Sequence, residues 1–220
     1  MTRKVVTRAP AREVGAVNAA WLLEQPVEHE SHLEKRFIMI ALSCPVVTHI
    51  VHQPMTMELI YGPNERAKYT PDFKVRFRDG DQIIVEVKPE VFISENKRTL
   101  EAAKKQLAGE GTRYAVFTDK QIDANGLAAR ALLLMRYGRL WLSDDDALEC
   151  KRLLEDECAG SARVSSLMAR GVSESLIWNM VARHQLRVPA GLNINPHETV
   201  EINTPLGECH DYFCAWFGST

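Results

Sequence analysis

Two short stretches decide the fold: Tyr69-Thr70-Pro71-Asp72-Phe73 and, further along, Ile84-Val85-Glu86-Val87-Lys88. Together they spell Pro-Asp, then thirteen residues from Phe73 to Val85, then Glu-x-Lys. Phe73 to Arg78 and Gln82 to Lys88 alternate apolar and polar residues as half-buried strands do, and Asp79-Gly80-Asp81 supplies a turn between them. Successive strand side chains point to opposite faces. Lys74, Arg76 and Arg78 therefore share one side of the first strand, and Glu86 and Lys88 share one side of the second, opposite Val85 and Val87.

That pattern suits phosphodiester hydrolysis, which needs a water made nucleophilic near neutral pH and a means of offsetting charge on the scissile phosphate. Asp72 and Glu86, on adjacent strand ends, are the expected ligands of Mg²⁺, with Mn²⁺ as a substitute; such hard cations prefer oxygen donors and keep several waters. Lys88 falls on the same strand face as Glu86, and the backbone carbonyl of Val87 is a further candidate ligand. The same letters also spell an ordinary hairpin, in which Asp72 opens a strand and Glu86 and Lys88 form an exposed ion pair worth about 0.2–1 kcal/mol.

Ahead of the hairpin, Ser31 to Ser43 reads as a helix, with Leu33, Phe37, Ile40 and Ala41 at helical spacing and Cys44-Pro45 as its stop. Strand-like stretches follow at Val46 to His52 and Met55 to Tyr61, separated by Gln53-Pro54, and then comes the loop Gly62-Pro63-Asn64. Beyond the hairpin, a helix from about Ser94 to Ala108, stopped by Gly109 and Gly111, leads into a strand at Arg113 to Thr118, as the crossover of a βαβ unit does. The expected class is α/β, a mixed sheet flanked by helices. Lys97, Arg98, Lys104 and Lys105 on the crossover helix are candidate contacts to a DNA backbone, or simply a solvated face.

The organisation expected around this core has three parts: an irregular basic arm over 1–28, the catalytic domain over 29–143, and a small C-terminal domain over 144–220. The arm carries Arg3, Lys4, Arg8 and Arg12, which either follow phosphates or are solvated. A helical segment, Leu127 to Met135, closes the middle part, and the third opens with an acidic helix over 144–157, suited to a spacer or a protein contact rather than to DNA. Two short helices over 162–169 and 174–183, with Ser173 as N-cap, precede a small β-wing over 186–202, the order of a winged helix-turn-helix. Arg163, Arg170, Arg183 and Arg187 against Glu174 give this part a mild basic excess.

With 220 residues, 45% of them hydrophobic, the chain can build a real core, and a net charge of −2 excludes nucleic-acid binding by bulk positive charge. Five cysteines with no CxxC pair fit a reducing compartment. No apolar run is long enough to span a bilayer, so a cytoplasmic protein is expected. The chain has neither a GxxxxGK[ST] loop nor a GxSxG elbow; His49-x-x-His52 and Cys209-His210 with Cys214 complete no recognised zinc spacing.

The sequence around the motif resembles the nuclease domain of the TnsA family, the endonuclease subunit of heteromeric bacterial transposases. The similar residues are Glu30-Ser31-His32-Leu33-Glu34-Lys35-Arg36-Phe37, Gln53-Pro54, Tyr69 to Phe73, Val85-Glu86-Val87-Lys88, and Phe117-Thr118-Asp119 with Ile122, spread over roughly 28–123. The resemblance implies a restriction-endonuclease-like fold and cleavage of the 5′ strands at transposon ends. It also implies a DDE transposase partner of the TnsB type, which cuts and joins the 3′ ends, and an AAA+ regulator of the TnsC type. It carries over Glu34, Asp72, Glu86 and Lys88 as the catalytic set, with Glu34 assisting at the metal or water. Ser31-x-x-Glu34 also spells a capping box, in which Glu34 ties down the helix start, and Glu30 lies one turn earlier. A stand-alone repair or restriction nuclease and a non-catalytic DNA-binding adaptor are the alternative readings.

Overall fold

Residues 14–189, 191–204 and 208–218 are described by a computed structural model. The arm residues Arg3, Lys4, Arg8 and Arg12 lie outside them. Where an irregular segment was expected, β1 (Gly15–Val17) and β2 (Val27–His29) pair antiparallel. At three residues each, these strands are too short to show a two-residue period. Between them Trp21 packs so closely on Gly138 that a Cβ there would come within 2.4 Å of the indole, and its Nε1–H donates to the Ala182 carbonyl at 3.1 Å.

Helix α1 (His32–Ser43) starts where the sequence predicts. Ser31 is extended, and its hydroxyl accepts from the Glu34 N–H at 3.1 Å. The apolar stripe Leu33, Phe37, Ile40 and Ala41 is buried, and Cys44 caps the far end.

Three strands then fold back and forth: β3 (Val47–His52), β4 (Met57–Gly62) and β5 (Glu65–Tyr69). The last was not anticipated. Glu65-Arg66-Ala67-Lys68 is exposed at every position, so no burial pattern marks it, yet it pairs along the length of β4 as a free-standing hairpin. Next come β6 (Phe73–Phe77) and β7 (Gln82–Val87), joined by the turn in which Gly80 takes φ +90°. Helix α2 (Ile93–Gly109) crosses over to β8 (Arg113–Phe117), which lies parallel to β7. The sheet order is β3-β6-β7-β8, antiparallel except at the last pair, the mixed sheet expected.

After α3 (Asp119–Ile122), α4 (Leu127–Gly138) packs on α1. The acidic α5 (Asp144–Glu157) precedes β9 (Ser161–Arg163), α6 (Val164–Met168) and α7 (Glu174–Ala182), the last capped by the Ser173 hydroxyl, which accepts from the Leu176 N–H. Strands β10 (Leu186–Arg187) and β11 (Thr199–Ile202) pair antiparallel, and β11 also pairs with β9. A last helix, α8 (Cys209–Trp216), was not anticipated, being only two turns long.

Other elements pack on both faces of the sheet, wholly on one and in part on the other. On one, Phe37 of α1 stacks on Phe73 and Phe117 at 5.3 and 5.6 Å, while Phe213 of α8 meets Phe77 at 5.2 Å and Phe217 meets Phe117 at 4.3 Å. Most of the buried apolar residues form one cluster that runs from Val17 to Phe217, so the C-terminal helix shares the core of the sheet. On the other face, α2 and the β4–β5 hairpin bury Leu59, Tyr69 and Ala103 over β7 and β8.

Candidate active site

The hairpin register brings the motif together. In the β6–β7 ladder Phe73 faces Val85, Lys74 faces Ile84 and Val75 faces Ile83. The same register carried one residue further sets Asp72 opposite Glu86, the separation at which cross-strand Cβ atoms stand about 4.5–5.5 Å apart. Thirteen residues between the two motifs are therefore the length of one tight hairpin, and the Asp79-Gly80-Asp81 turn fixes which carboxylates meet.

Asp72 is anchored at both ends. Its carbonyl accepts from the Gln53 N–H at 2.7 Å, which continues the β3–β6 ladder past the strand, and its Oδ2 accepts from the Val87 N–H at 2.7 Å. Glu86 is only 5% exposed, which rules out the solvated ion pair of an ordinary hairpin. The Lys88 Nζ lies 2.8 Å from Glu86 Oε1, and the Tyr69 hydroxyl donates to Glu86 Oε2 at 2.7 Å. Tyr114, on β8, closes the chain of hydrogen bonds: its hydroxyl is 2.8 Å from that of Tyr69, and since the Tyr69 proton faces Glu86, Tyr114 is the donor.

Glu34 joins from α1. Its Oε2 accepts from the Glu30 N–H at 2.8 Å and its Oε1 from the Ser31 hydroxyl at 2.8 Å, so Glu34 does tie down the helix start, though its backbone bond reaches Glu30, one residue before the Ser31 cap that a capping box would use. Yet Glu34 also stands close enough to the hairpin acids to feel them. Burial raises its carboxyl above the ordinary range, backbone and hydroxyl donors partly oppose this, and the charges of Glu30 and Glu86 add to it. Asp72 is raised well above its ordinary value for the same reasons: burial first, then the charge of Glu86, with Glu34 adding and the Val87 N–H and Lys88 opposing. Three carboxylates thus share one neighbourhood with the single ammonium of Lys88. The carboxylate oxygens bring surplus negative charge to this neighbourhood. No group of three or more His, Cys, Asp or Glu side chains among the described residues is gathered tightly enough to hold a metal by itself. Mg²⁺ is commonly held by one or two carboxylates, its remaining positions filled by water and phosphate.

Several other residues are placed differently from their sequence promise. His49 and His52, three apart on β3, fall on opposite faces: His49 is exposed, while His52 is buried against Phe73 with its Nε2 3.7 Å from Glu34 Oε2. Burial lowers the His52 pKa, which keeps the ring neutral. On α8, Cys214 Sγ is 3.6 Å from His210 Nε2. On α2, Arg98 is held in a fork by Glu65, at 2.7 and 2.6 Å, and lies over the Tyr61 ring; Lys97 is 3.8 Å from Glu101, and Lys104 is exposed.

Reading the sequence missed the two tyrosines. Tyr69 lies three residues before Asp72 in the deciding stretch, but only the inward turn of the β4–β5 hairpin aims its hydroxyl at Glu86. A carboxylate fixed by such a donor is a better-oriented ligand than one free to rotate, and losing a partner of this kind costs typically 10- to 100-fold in metal affinity. Tyr69→Phe is therefore expected to weaken divalent-ion binding by about that factor, with folding unchanged, as titration calorimetry with the ion would show.

Two comparisons bear on identity. No curated protein matches the chain. The family model described as TnsA-like endonuclease N terminal matches residues 44–119. That span holds Asp72, Glu86, Val87 and Lys88 together with both tyrosines, and leaves Glu34 outside, resting on geometry alone. Residues 44–119, which hold most of the mixed sheet, are thus similar to a TnsA-like endonuclease N-terminal domain.

Proposed function

We propose that the chain is the divalent-metal-dependent endonuclease subunit of a heteromeric transposase, cutting the 5′ (non-transferred) strand at each transposon end. The convergence of Asp72, Glu86 and Lys88 at the open end of one hairpin carries the proposal. Mg²⁺, when bound, would lower the pKa of a water and offset charge on the phosphate. The chain's residues do the rest. Asp72 and Glu86 hold the ion with the Val87 carbonyl, and Glu34 presents its carboxylate from α1. Tyr69 and Tyr114 fix the orientation of Glu86. Lys88, paired with Glu86 at 2.8 Å, places its ammonium where charge grows on the phosphate oxygens. Water attacks phosphorus in line as the P–O3′ bond breaks, so the 3′ oxygen leaves and takes up a proton as the 3′-hydroxyl, while the phosphate stays on the 5′ end.

The rest of the proposal concerns partners and location: DNA ends, a DDE transposase of the TnsB type, an AAA+ regulator of the TnsC type, and the bacterial cytoplasm. The order β9, α6, α7, β10, β11 supports reading the C-terminal part as a winged helix. Three of its four arginines are engaged within the chain, Arg187 with Glu201, Arg170 with Glu157, and Arg183 with the carbonyls of Gly138 and Leu140, while Arg163 is exposed. Among the described residues no helix is long and apolar enough to cross a membrane.

The test is strand-resolved cleavage of transposon-end DNA, with and without the adjacent DDE transposase. Nicks on the 5′ strands that require both Mg²⁺ and the transposase are the expected result. Vigorous cutting of arbitrary duplex by the pure chain would favour a stand-alone nuclease. Cleavage untouched by Asp72→Ala would favour a DNA-binding adaptor.

A further inference from the structure

The sheet face that carries Asp72 and Glu86 is roofed over only part of its width. Above β7 and β8 sit α2 and the β4–β5 hairpin. Over β3 and β6 the same face shows His49, Val51, Lys74 and Arg76, the first and last exposed and the middle two half-exposed. The register places them as neighbours: Val51 opposite Lys74, and His49 opposite Arg76. On their β7 side stand Ile84 and Gln82, so no carboxylate faces either cation within the ladder.

Lys74 and Arg76 also stand apart from most surface cations nearby. Arg66, Arg98, Arg113 and Lys120 each lie against a carboxylate: Glu58, Glu65, Asp81 and Glu90. Among the described residues, neither the Lys74 nor the Arg76 side chain has any such partner. Both charges stand on the open part of this face. The strand period sets them in line with Asp72, at roughly 7 and 14 Å from it.

We propose that this strip of β6, with His49 beside it on β3, is the track for the DNA backbone flanking the scissile phosphate. This rests on the nuclease reading, and it differs from the crossover-helix cations that the sequence suggests, since Arg98 is already committed to Glu65. The occupant is a polyanion running out of the active site. It is favoured by charge complementarity and by continuity with the carboxylate cluster, since Lys74 is two residues from Asp72 on the same face.

The experiment is fluorescence anisotropy of the full chain on a labelled duplex, in chelator so that no strand is cut, across a salt series. Lys74→Ala with Arg76→Ala is expected to weaken binding about 10-fold or more at low salt, and to flatten the slope of log affinity against log salt by roughly 1.8, about 0.9 per lost phosphate contact. Lys104→Ala with Lys105→Ala on α2 is expected to stay within about twofold of the parent, the ordinary reach of a solvated cation pair. An unchanged affinity and slope in the β6 double variant overturns the track, and so does a parent chain with no affinity for duplex. Thermal unfolding of the variants separates a lost contact from a lost fold. Because cleavage is scored separately, by restoring Mg²⁺ with the transposase, failure of the track and failure of the nuclease reading give different results.

Discussion

Replacing Lys88 with alanine is expected to lower strand cleavage by about 10²–10³-fold, the usual cost of removing one preorganised charge from a developing oxyanion. The loss falls on the chemical step, because the ammonium acts where phosphate charge grows and not where the ion is held. Ion binding in the same variant should therefore be nearly intact, or tighter, since Lys88 leaves the anionic cluster more negative. Asp72→Asn should give the opposite pattern: cleavage falls by on the order of 10³-fold, and ion binding collapses with it. Calorimetry beside single-turnover cleavage reads both quantities. A Lys88→Ala variant that loses ion binding along with activity would show that the lysine organises the site and does not act on the phosphate.

A second large effect concerns stability. Burial, together with the charges of Glu86 and Glu34, holds the Asp72 carboxyl well above the ordinary 3.8. The folded chain therefore binds this proton more tightly than the unfolded chain does. The stability tied to it is fully present below the unfolded pKa and is lost as pH rises through the raised folded value. As pH rises through that raised value the metal-free protein takes on the penalty, and Glu34, raised by burial and by Glu30 and Glu86, adds in the same direction. Asp72→Asn keeps an oxygen to accept from the Val87 N–H while removing the charge. The metal-free variant should thus melt roughly 2–4 °C above the parent for each kcal/mol relieved, while the parent gains roughly 5–10 °C from saturating Mg²⁺ and the variant gains none. Calorimetric melts at neutral and acid pH, with and without Mg²⁺, check both signs: the advantage of the variant should shrink as the pH falls. A parent that Mg²⁺ does not stabilise would leave the cluster without an ion.

The contrast between Asp72 and Arg98 shows where the sequence was legible. Asp72, Glu86 and Lys88 could be placed together because only local rules are involved. A two-residue strand period, a Gly-centred turn and a fixed interval put them on facing strand ends whatever the rest of the chain does. Ser31 and Ser173 as caps, and the parallel β8 after its crossover helix, follow from equally local signals. Arg98 looked as available as Lys74. Which of them keeps its charge free depends on Glu65, which sits on a strand with no burial pattern to betray it.

By itself the sequence determined the Asp72–Lys88 hairpin, the helices that bracket it and the helices and wing strands of the C-terminal part, because turn chemistry and hydrophobic period act over a few residues. Only the tertiary structure decided that Glu86 is buried beneath Tyr69 and Tyr114 and that Glu34 caps α1 while facing the hairpin acids. It also decided that Phe213 and Phe217 of α8 return to the core under the sheet. These outcomes come from packing between segments far apart in the chain, where burial and neighbouring charge depend on what arrives from elsewhere.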